Sequence, residues 1–482
     1  MEYANDPQVS PDGARVAYVR STMDIMTDST RRTIWMVDVD GDNHRPLVSG
    51  AGNFSSPRWS PSGDRLAYLS NTEGKTQLFV QWLDGGETAK VTTLAESPRS
   101  IVWSPDGKHI AFTRFVPAPP PTLAEMPAKP KGAKWAEPAT VVDRMTFRFD
   151  GGGYLPTGNQ QVFVVPADGG TPRQMTSGDY PISGSVSWMP DSQSIIFSSN
   201  RREDVEYHPR QNDLYAASLA TGELTQMIDH AGPESDPAVS PDGRFVAYTS
   251  AADTRQGYNR ADLRVMDLAS GESRSLTADL DRSVSDIQWS ADSKSVWIRY
   301  NDLGKARIAE VDLKGNLRQA DIVLGGTALG RPYTSGTFSV GGEGRIAYTL
   351  GRDDRPADLA LMRSGKQPLQ LTDLNSDLMG QREMSRVERM VWPSSHDGLE
   401  IEGWVMKPPG FDPEKQYPMI LEIHGGPHSA YGPNYSTEAQ LFAAAGYVVF
   451  YTNPRGSSSY GEKFANEIDL AYPGYDYDDL IS

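Results

Sequence analysis

Residues able to do chemistry gather in two short stretches near the end of the chain. His424-Gly425-Gly426-Pro427 closes an apolar run that begins at Pro418, and Asn453-Pro454-Arg455-Gly456 is followed by Ser457, Ser458 and Ser459. A serine nucleophile on a sharp strand-to-helix turn needs glycine two residues before and two residues after it. No serine in the chain has both; the segment from Gly456 to Gly461 comes nearest and has the wrong spacing. Ser457, Ser458 and Ser459 therefore read as turn formers. Zero cysteines remove thiolate nucleophiles, thiolate zinc sites and disulfides together. Of the seven histidines none forms a His-Glu-x-x-His pair, and His424 and His428 straddle Gly-Gly-Pro, which no helix contains. No metal centre is expected, and no cofactor. His424 has two readings, a scaffold imidazole that holds its loop by hydrogen bonds or a proton-transfer group, and the first is preferred. Arg455 either touches substrate or anchors its loop through carboxylates. His396, in a polar hairpin turn, reads as solvated.

Those stretches need elements to hold them. After Arg386, residues 389–411 read as two strands around a Ser-His-Asp-Gly turn, and 418–427 as a strand apolar enough to be buried on both faces. Residues 436–447 read as an amphipathic helix capped by Ser436 and ended by Gly446. Val448-Val449-Phe450 opens a second buried strand, 461–470 reads as helix, and 475–482 as the first turns of another. Strand, helix, strand, helix is the order of an α/β domain with a parallel sheet.

The rest of the chain repeats. Val9-Ser10-Pro11-Asp12-Gly13 is followed by an alternating apolar–polar stretch, and equivalents begin at Arg58, Val102, Ser187, Val239, Gln288 and Ser339, which makes seven copies. Most are about 50 residues apart. Proline presets φ at the second turn position, aspartate closes the turn with its side chain, and glycine takes the positive φ. Each interval also holds a strand, a glycine-centred turn and a strand, such as the stretch from Leu78. Two hairpins per repeat make a four-stranded blade, and seven blades close a propeller. One interval is longer, with about 35 extra residues between Phe115 and Thr157, rich in proline and alanine at its start. This insertion of the third blade reads as a loop over one face, either gating an opening or tolerated as surface.

The expected architecture is thus an all-β seven-bladed propeller over 1–385, followed by the N-terminal part of an α/β-hydrolase domain over 386–482. The segment running from Asp397 through His424-Gly425-Gly426-Pro427, and then Asn453-Pro454-Arg455-Gly456 about 30 residues later, behind a propeller, closely resembles the prolyl oligopeptidase family. Its acylaminoacyl-peptidase and dipeptidyl-peptidase-like bacterial branch is the nearest in pattern. The resemblance implies a serine peptidase that cleaves short peptides by acyl transfer, with the propeller restricting access. It also implies that the Gly426 N–H is an oxyanion donor, with Gly425 and His424 shaping that loop. Nucleophile, acid and base are not in these 482 residues, so the chain alone is expected to be inactive. Fewer than 100 residues follow Arg386, which suggests truncation and leaves an uncovered sheet edge with exposed apolar faces. A non-catalytic propeller that binds peptides or partner proteins is the alternative.

Composition narrows the partners. Lys plus Arg 46 against Asp plus Glu 63 gives a net charge of −17, which repels phosphate backbones and argues against nucleic acid. No run approaches the ~18 apolar residues of a membrane span. Short peptides are the expected partners; oligomeric state and compartment (cytoplasmic or periplasmic) stay open.

Overall fold

In the computed structural model residues 1–124, 127–136, 139–228, 232–363 and 366–482 are described. Residues 125–126 and 137–138 of the insertion, 229–231, and Ser364 and Gly365, where the sequence predicts the second turn of the seventh repeat, lie outside them. Among the described residues, seven four-stranded sheets with strands in chain order precede residue 371. The first runs from Glu2–Val9 to Arg45–Val48 and the last from Phe338–Val340 to Leu369–Gln370. All pairings within them are antiparallel, as short connections demand.

The Ser-Pro-Asp-Gly turns join first to second strands, and their side chains explain the motif. Ser240 Oγ donates to Asp242 Oδ1 at 2.6 Å and accepts the Phe245 N–H at 3.0 Å, while the Arg244 N–H reaches Asp242 at 3.1 Å. Tryptophans one position before that serine, or before Met189 in the fourth copy, tie neighbouring sheets. Trp59 donates to Gln8, Trp103 to Arg58, Trp188 to Val102 and Trp289 to Ala238, each to a carbonyl in an earlier sheet at 2.8–3.2 Å. First and last sheets meet where the Val9 N–H donates to Ser339 Oγ at 2.9 Å and the Glu2 N–H to Asn375 Oδ1 at 2.9 Å. Apolar clusters fill the space between adjacent sheets, as with Leu78, Val80, Ile110 and Phe163.

Beyond them lies a mixed sheet in the order Val387–Pro393, Glu400–Met406, Val448–Asn453, Met419–Ile423. Its last two strands are parallel, with Met419 opposite Val448 and Ile423 opposite Thr452. The helix Thr437–Ala444 crosses between them, capped by Ser436, whose Oγ accepts the Ala439 N–H at 3.2 Å. Ala439 and Ala443 pack on Met406 and Val449. One expectation fails here. Met419–Ile423 is an edge strand with Met419 62 % and Ile423 46 % exposed, not a strand buried on both faces. An apolar run reports what a strand can bury, and among the described residues no strand pairs with its outer edge and one of its faces stays exposed. The helix expected over 461–470 is shorter, Glu462–Asn466, and ends in turns.

The α/β unit sits on one face of the ring. It is held by Gly257, Tyr258 and Arg260 of the fifth sheet, Leu303 and Gly304 of the sixth, and Arg352 and Asp353 of the seventh, together with Asp281 and residues 329–334 in the connections between sheets. These residues lie between second and third strands or between one sheet and the next. Alternating strand direction puts both kinds of connection on one face and the Ser-Pro-Asp-Gly turns on the other. Contact is closest where Gly432 passes the sixth sheet: a Cβ there would lie 1.7 Å from the Gly304 carbonyl oxygen.

Candidate functional site

Because Met419–Ile423 and Val448–Asn453 run parallel, the loops that leave their C-terminal ends emerge side by side. Open α/β sheets bind ligands outside those ends. The two loops, 424–429 and 453–461, contain the two stretches singled out from the sequence. The Ser458 N–H donates to the Ser429 carbonyl at 3.0 Å, and a His428 Nδ1–Gly456 O contact at 3.0 Å adds a second tie.

His424 is the hub of the first loop. Its ring is buried, with Nε2 3.1 Å from Asn453 Oδ1 and 3.0 Å from Ser457 Oγ. The orientation of the Asn453 amide is fixed from outside: Oδ1 accepts the Tyr431 N–H at 2.8 Å, and Nδ2 donates to the Tyr431 carbonyl at 3.0 Å. Since Oδ1 can only accept, Nε2 meets an acceptor on this side, and Nδ1 meets another, the Gly425 carbonyl at 3.2 Å. Nδ1 also lies 3.0 Å from Ser429 Oγ, a hydroxyl that donates its one proton to the Gly425 carbonyl at 2.8 Å. Burial pushes the imidazole below its usual pKa, which favours the neutral ring.

The direction of its own proton decides what Ser457 can do. The Ser457–His424 distance is that of a nucleophile and its base, yet the hydroxyl proton is directed away from the ring. Ser457 Oγ donates to the Pro454 carbonyl at 2.7 Å and is 1 % exposed. A serine so placed is a loop fastener.

Gly425 and Gly426 are exposed, and Gly426 has φ of +140°, a conformation that disfavours any side chain. Neither gives its N–H to a protein acceptor among the described residues. The loop therefore offers free backbone donors beside a rigid, buried imidazole.

Arg455 lies behind the second loop and is 3 % exposed. Its Nε and Nη2 donate to Asp479 at 2.9 Å, its backbone N–H to the same carboxylate at 2.8 Å, and Nη1 and Nη2 to Asp397 at 3.1 and 3.0 Å. Hydrogen bonding to Asp479, ahead of the opposing cost of burial, holds the guanidinium more firmly protonated than usual. Its donors thus face protein carboxylates. His396 is exposed but stacks on Tyr475 with ring centroids 3.3 Å apart, so the polar turn carries a ring contact that its sequence did not signal. Asn453 and Asp479 were also not singled out. Asn453 had a signal, an asparagine at the end of a strand before proline. Asp479 had none, sitting among three other acidic or tyrosine neighbours in the last helix, Asp476–Ile481.

Comparison with known proteins gives this geometry a context. Three family profiles match: the TolB beta propeller domain over residues 12–116, the dipeptidyl peptidase IV N-terminal region over 134–256, and the prolyl oligopeptidase family over 433–482. The uncharacterized peptidase YuxL of Bacillus subtilis is 30 % identical over 499 residues, spanning 99 % of this chain and 73 % of that protein. Dipeptidyl-peptidase 5 of Porphyromonas gingivalis is 27 % identical, over 100 % of this chain and 70 % of its own length. Among solved structures, Pyrococcus horikoshii acylaminoacyl peptidase superposes with a TM-score of 0.78 at 22 % identity, covering 100 % of this chain and 70 % of that one. At that identity the likeness speaks for the fold.

Proposed function

The chain belongs to the prolyl oligopeptidase family, and from that premise we propose that it supplies the propeller and the oxyanion side of a serine peptidase acting on short peptides. The observation that carries this reading is the 424–429 loop: unpaired, exposed glycine N–H groups at the C-terminal end of a parallel strand, held by a buried neutral histidine. Acyl transfer passes through a tetrahedral oxyanion, and a preorganised N–H aimed at it is worth roughly 3–4 kcal/mol. We assign that donor to Gly426. Gly425 lets the loop turn, His424 fixes it, and Arg455 anchors the neighbouring loop without touching substrate.

A hydrolase of this kind also needs Gly-x-Ser-x-Gly followed by aspartate and histidine, and the 482 residues hold no such serine. The reading is therefore that these residues do not hydrolyse peptides by themselves, and that the propeller, 1–385, limits which substrates approach a triad supplied from further sequence. A propeller that only binds would have no use for the 424–429 loop. Reading the coding frame past the Ser482 codon tests this: the elbow, aspartate and histidine in that order support it, and a stop codon there overturns it. In the protein carrying the triad, Gly426→Val is expected to lower kcat about 10²–10³-fold with KM little changed. Unchanged turnover would remove Gly426 from the oxyanion role.

A further inference from the structure

The α/β unit covers the fifth to seventh sheets, and the face of the ring above the third and fourth is left to the propeller's own loops. The insertion leaves the third sheet between its second and third strands, His109–Pro117 and Gly158–Pro166, so it rises on this same face. It is fastened at its root. Arg144 grips Asp179 through two contacts of 2.7 and 2.6 Å, and Asn159 donates to the same carboxylate at 2.7 Å. Beyond this clamp stands a small hairpin, Arg148–Phe149 paired with Gly153–Tyr154.

The hairpin presents apolar side chains to solvent. Met145 is 65 %, Phe149 59 % and Tyr154 62 % exposed, and Phe147 packs its ring 6.2 Å from that of Tyr154. Tyr207, 76 % exposed, belongs to the next loop, where Glu206 accepts the Met145 N–H at 2.9 Å. That loop is linked onward. Gln211 donates to Asp253 at 3.2 Å, and from the same fifth-sheet connection Gly257 and Tyr258 reach Asp469 and Asn466 of the α/β unit at 2.9 and 3.0 Å. His428, in the loop that carries Gly426, stands against Tyr258, with ring centroids 5.4 Å apart. A continuous rim of hydrogen-bonded loops therefore leads from the aromatic hairpin to the candidate oxyanion loop.

We propose that Phe147, Phe149 and Tyr154 form a substrate-selecting wall that receives apolar side chains of the peptide. The proposal rests on the peptidase reading and adds the substrate class. A second copy of the chain fits the patch less well. A stable interface takes roughly 20–30 residues a side, whereas the hairpin and its neighbour offer a handful. One apolar peptide side chain, by contrast, is matched by two or three aromatic rings.

The test is fluorescence anisotropy on the 482-residue chain with two fluorescein-labelled hexapeptides, one rich in Phe and Leu, the other in Ser and Gly. Wild type should bind the apolar peptide more tightly. The double variant Phe149→Ser/Tyr154→Ser should weaken that binding about tenfold and abolish the preference, and Phe149→Leu should keep most of it. Both side chains in the double variant are exposed, so folding is expected to survive, and circular dichroism checks that. No preference in wild type, or an unchanged preference in the double variant, would overturn the proposal. So would sedimentation showing a dimer that the double variant dissociates, which would assign the patch to a second copy. The readout is binding, so its failure is separate from failure of the Gly426 turnover test.

Discussion

Removing the carboxylate of Asp479 should open one corner of the α/β unit while leaving the propeller folded. Arg455 gives Asp479 three hydrogen bonds, and both side chains are withdrawn from water, at 3 % and 0 % exposure. Asp479→Ala leaves a buried guanidinium whose remaining carboxylate partner, Asp397, is 40 % exposed. Breaking a buried pair by deleting one partner costs about 3–5 kcal/mol, which multiplies the local opening constant roughly 150- to 5,000-fold. Asp397→Ala removes a solvent-screened partner, for which about 1 kcal/mol is the upper expectation. Trp392 lies on the same corner, donating its indole N–H to the Asp479 carbonyl at 3.1 Å. Hydrogen–deuterium exchange of peptides covering 387–406 and 448–460 is the assay. Asp479→Ala should strip protection there and leave the sheets before residue 371 unchanged. Equal losses in the two variants would refute the reasoning, because the difference in burial would then have no energetic consequence.

Other consequences can be measured on the same protein. Burial keeps His424 below the 6.5 of a free imidazole, so the unfolded loop gains a proton that the folded loop refuses. Its stabilisation is complete above pH 6.5 and is lost as pH falls toward the folded value, and the thermal midpoints of wild type and His424→Gln should converge between about pH 7 and pH 5. Thr92→Val should cost about 1–3 kcal/mol in urea unfolding, because the buried Leu78 N–H and the Gln77 side-chain Oε1 both lose the Thr92 hydroxyl. Gly432→Ala would set a methyl group 1.7 Å from the Gly304 carbonyl oxygen. It should unseat the α/β unit, splitting a single melting transition into two; one unchanged transition would contradict that contact.

How far the sequence reveals this molecule depends on distance along the chain. The Ser-Pro-Asp-Gly turns and the strands behind them are legible because the hydrogen bonds that make them, such as Ser240 to Asp242 and Phe245, span five residues or fewer. Capping of the helix by Ser436 is local in the same way. The site is built from longer reaches. His424 meets Asn453 and Ser457 across 29 and 33 residues, and Arg455 meets Asp397 across 58. No periodicity encodes such pairs; they exist because two parallel strands bring their ends together. The Met419–Ile423 strand misleads for a related reason: its composition records a capacity for burial, and the neighbours in these residues use only part of it.

The two rims of the ring carry different obligations. On the rim with the Ser-Pro-Asp-Gly turns, each connection from first to second strand closes in five residues, and another number would put the alternation behind it out of phase and break the tryptophan tie to the adjoining sheet. On the other rim a segment must only return to its starting point, as Ala118 and Thr157 do, joined by one backbone bond of 3.0 Å with the whole insertion between them. Length and chemistry can change on that rim without altering the register of a single strand. The scaffold thus repeats one geometry on one side and leaves freedom on the side that faces the α/β unit, so what the ring presents to that unit is set by loops and not by strands.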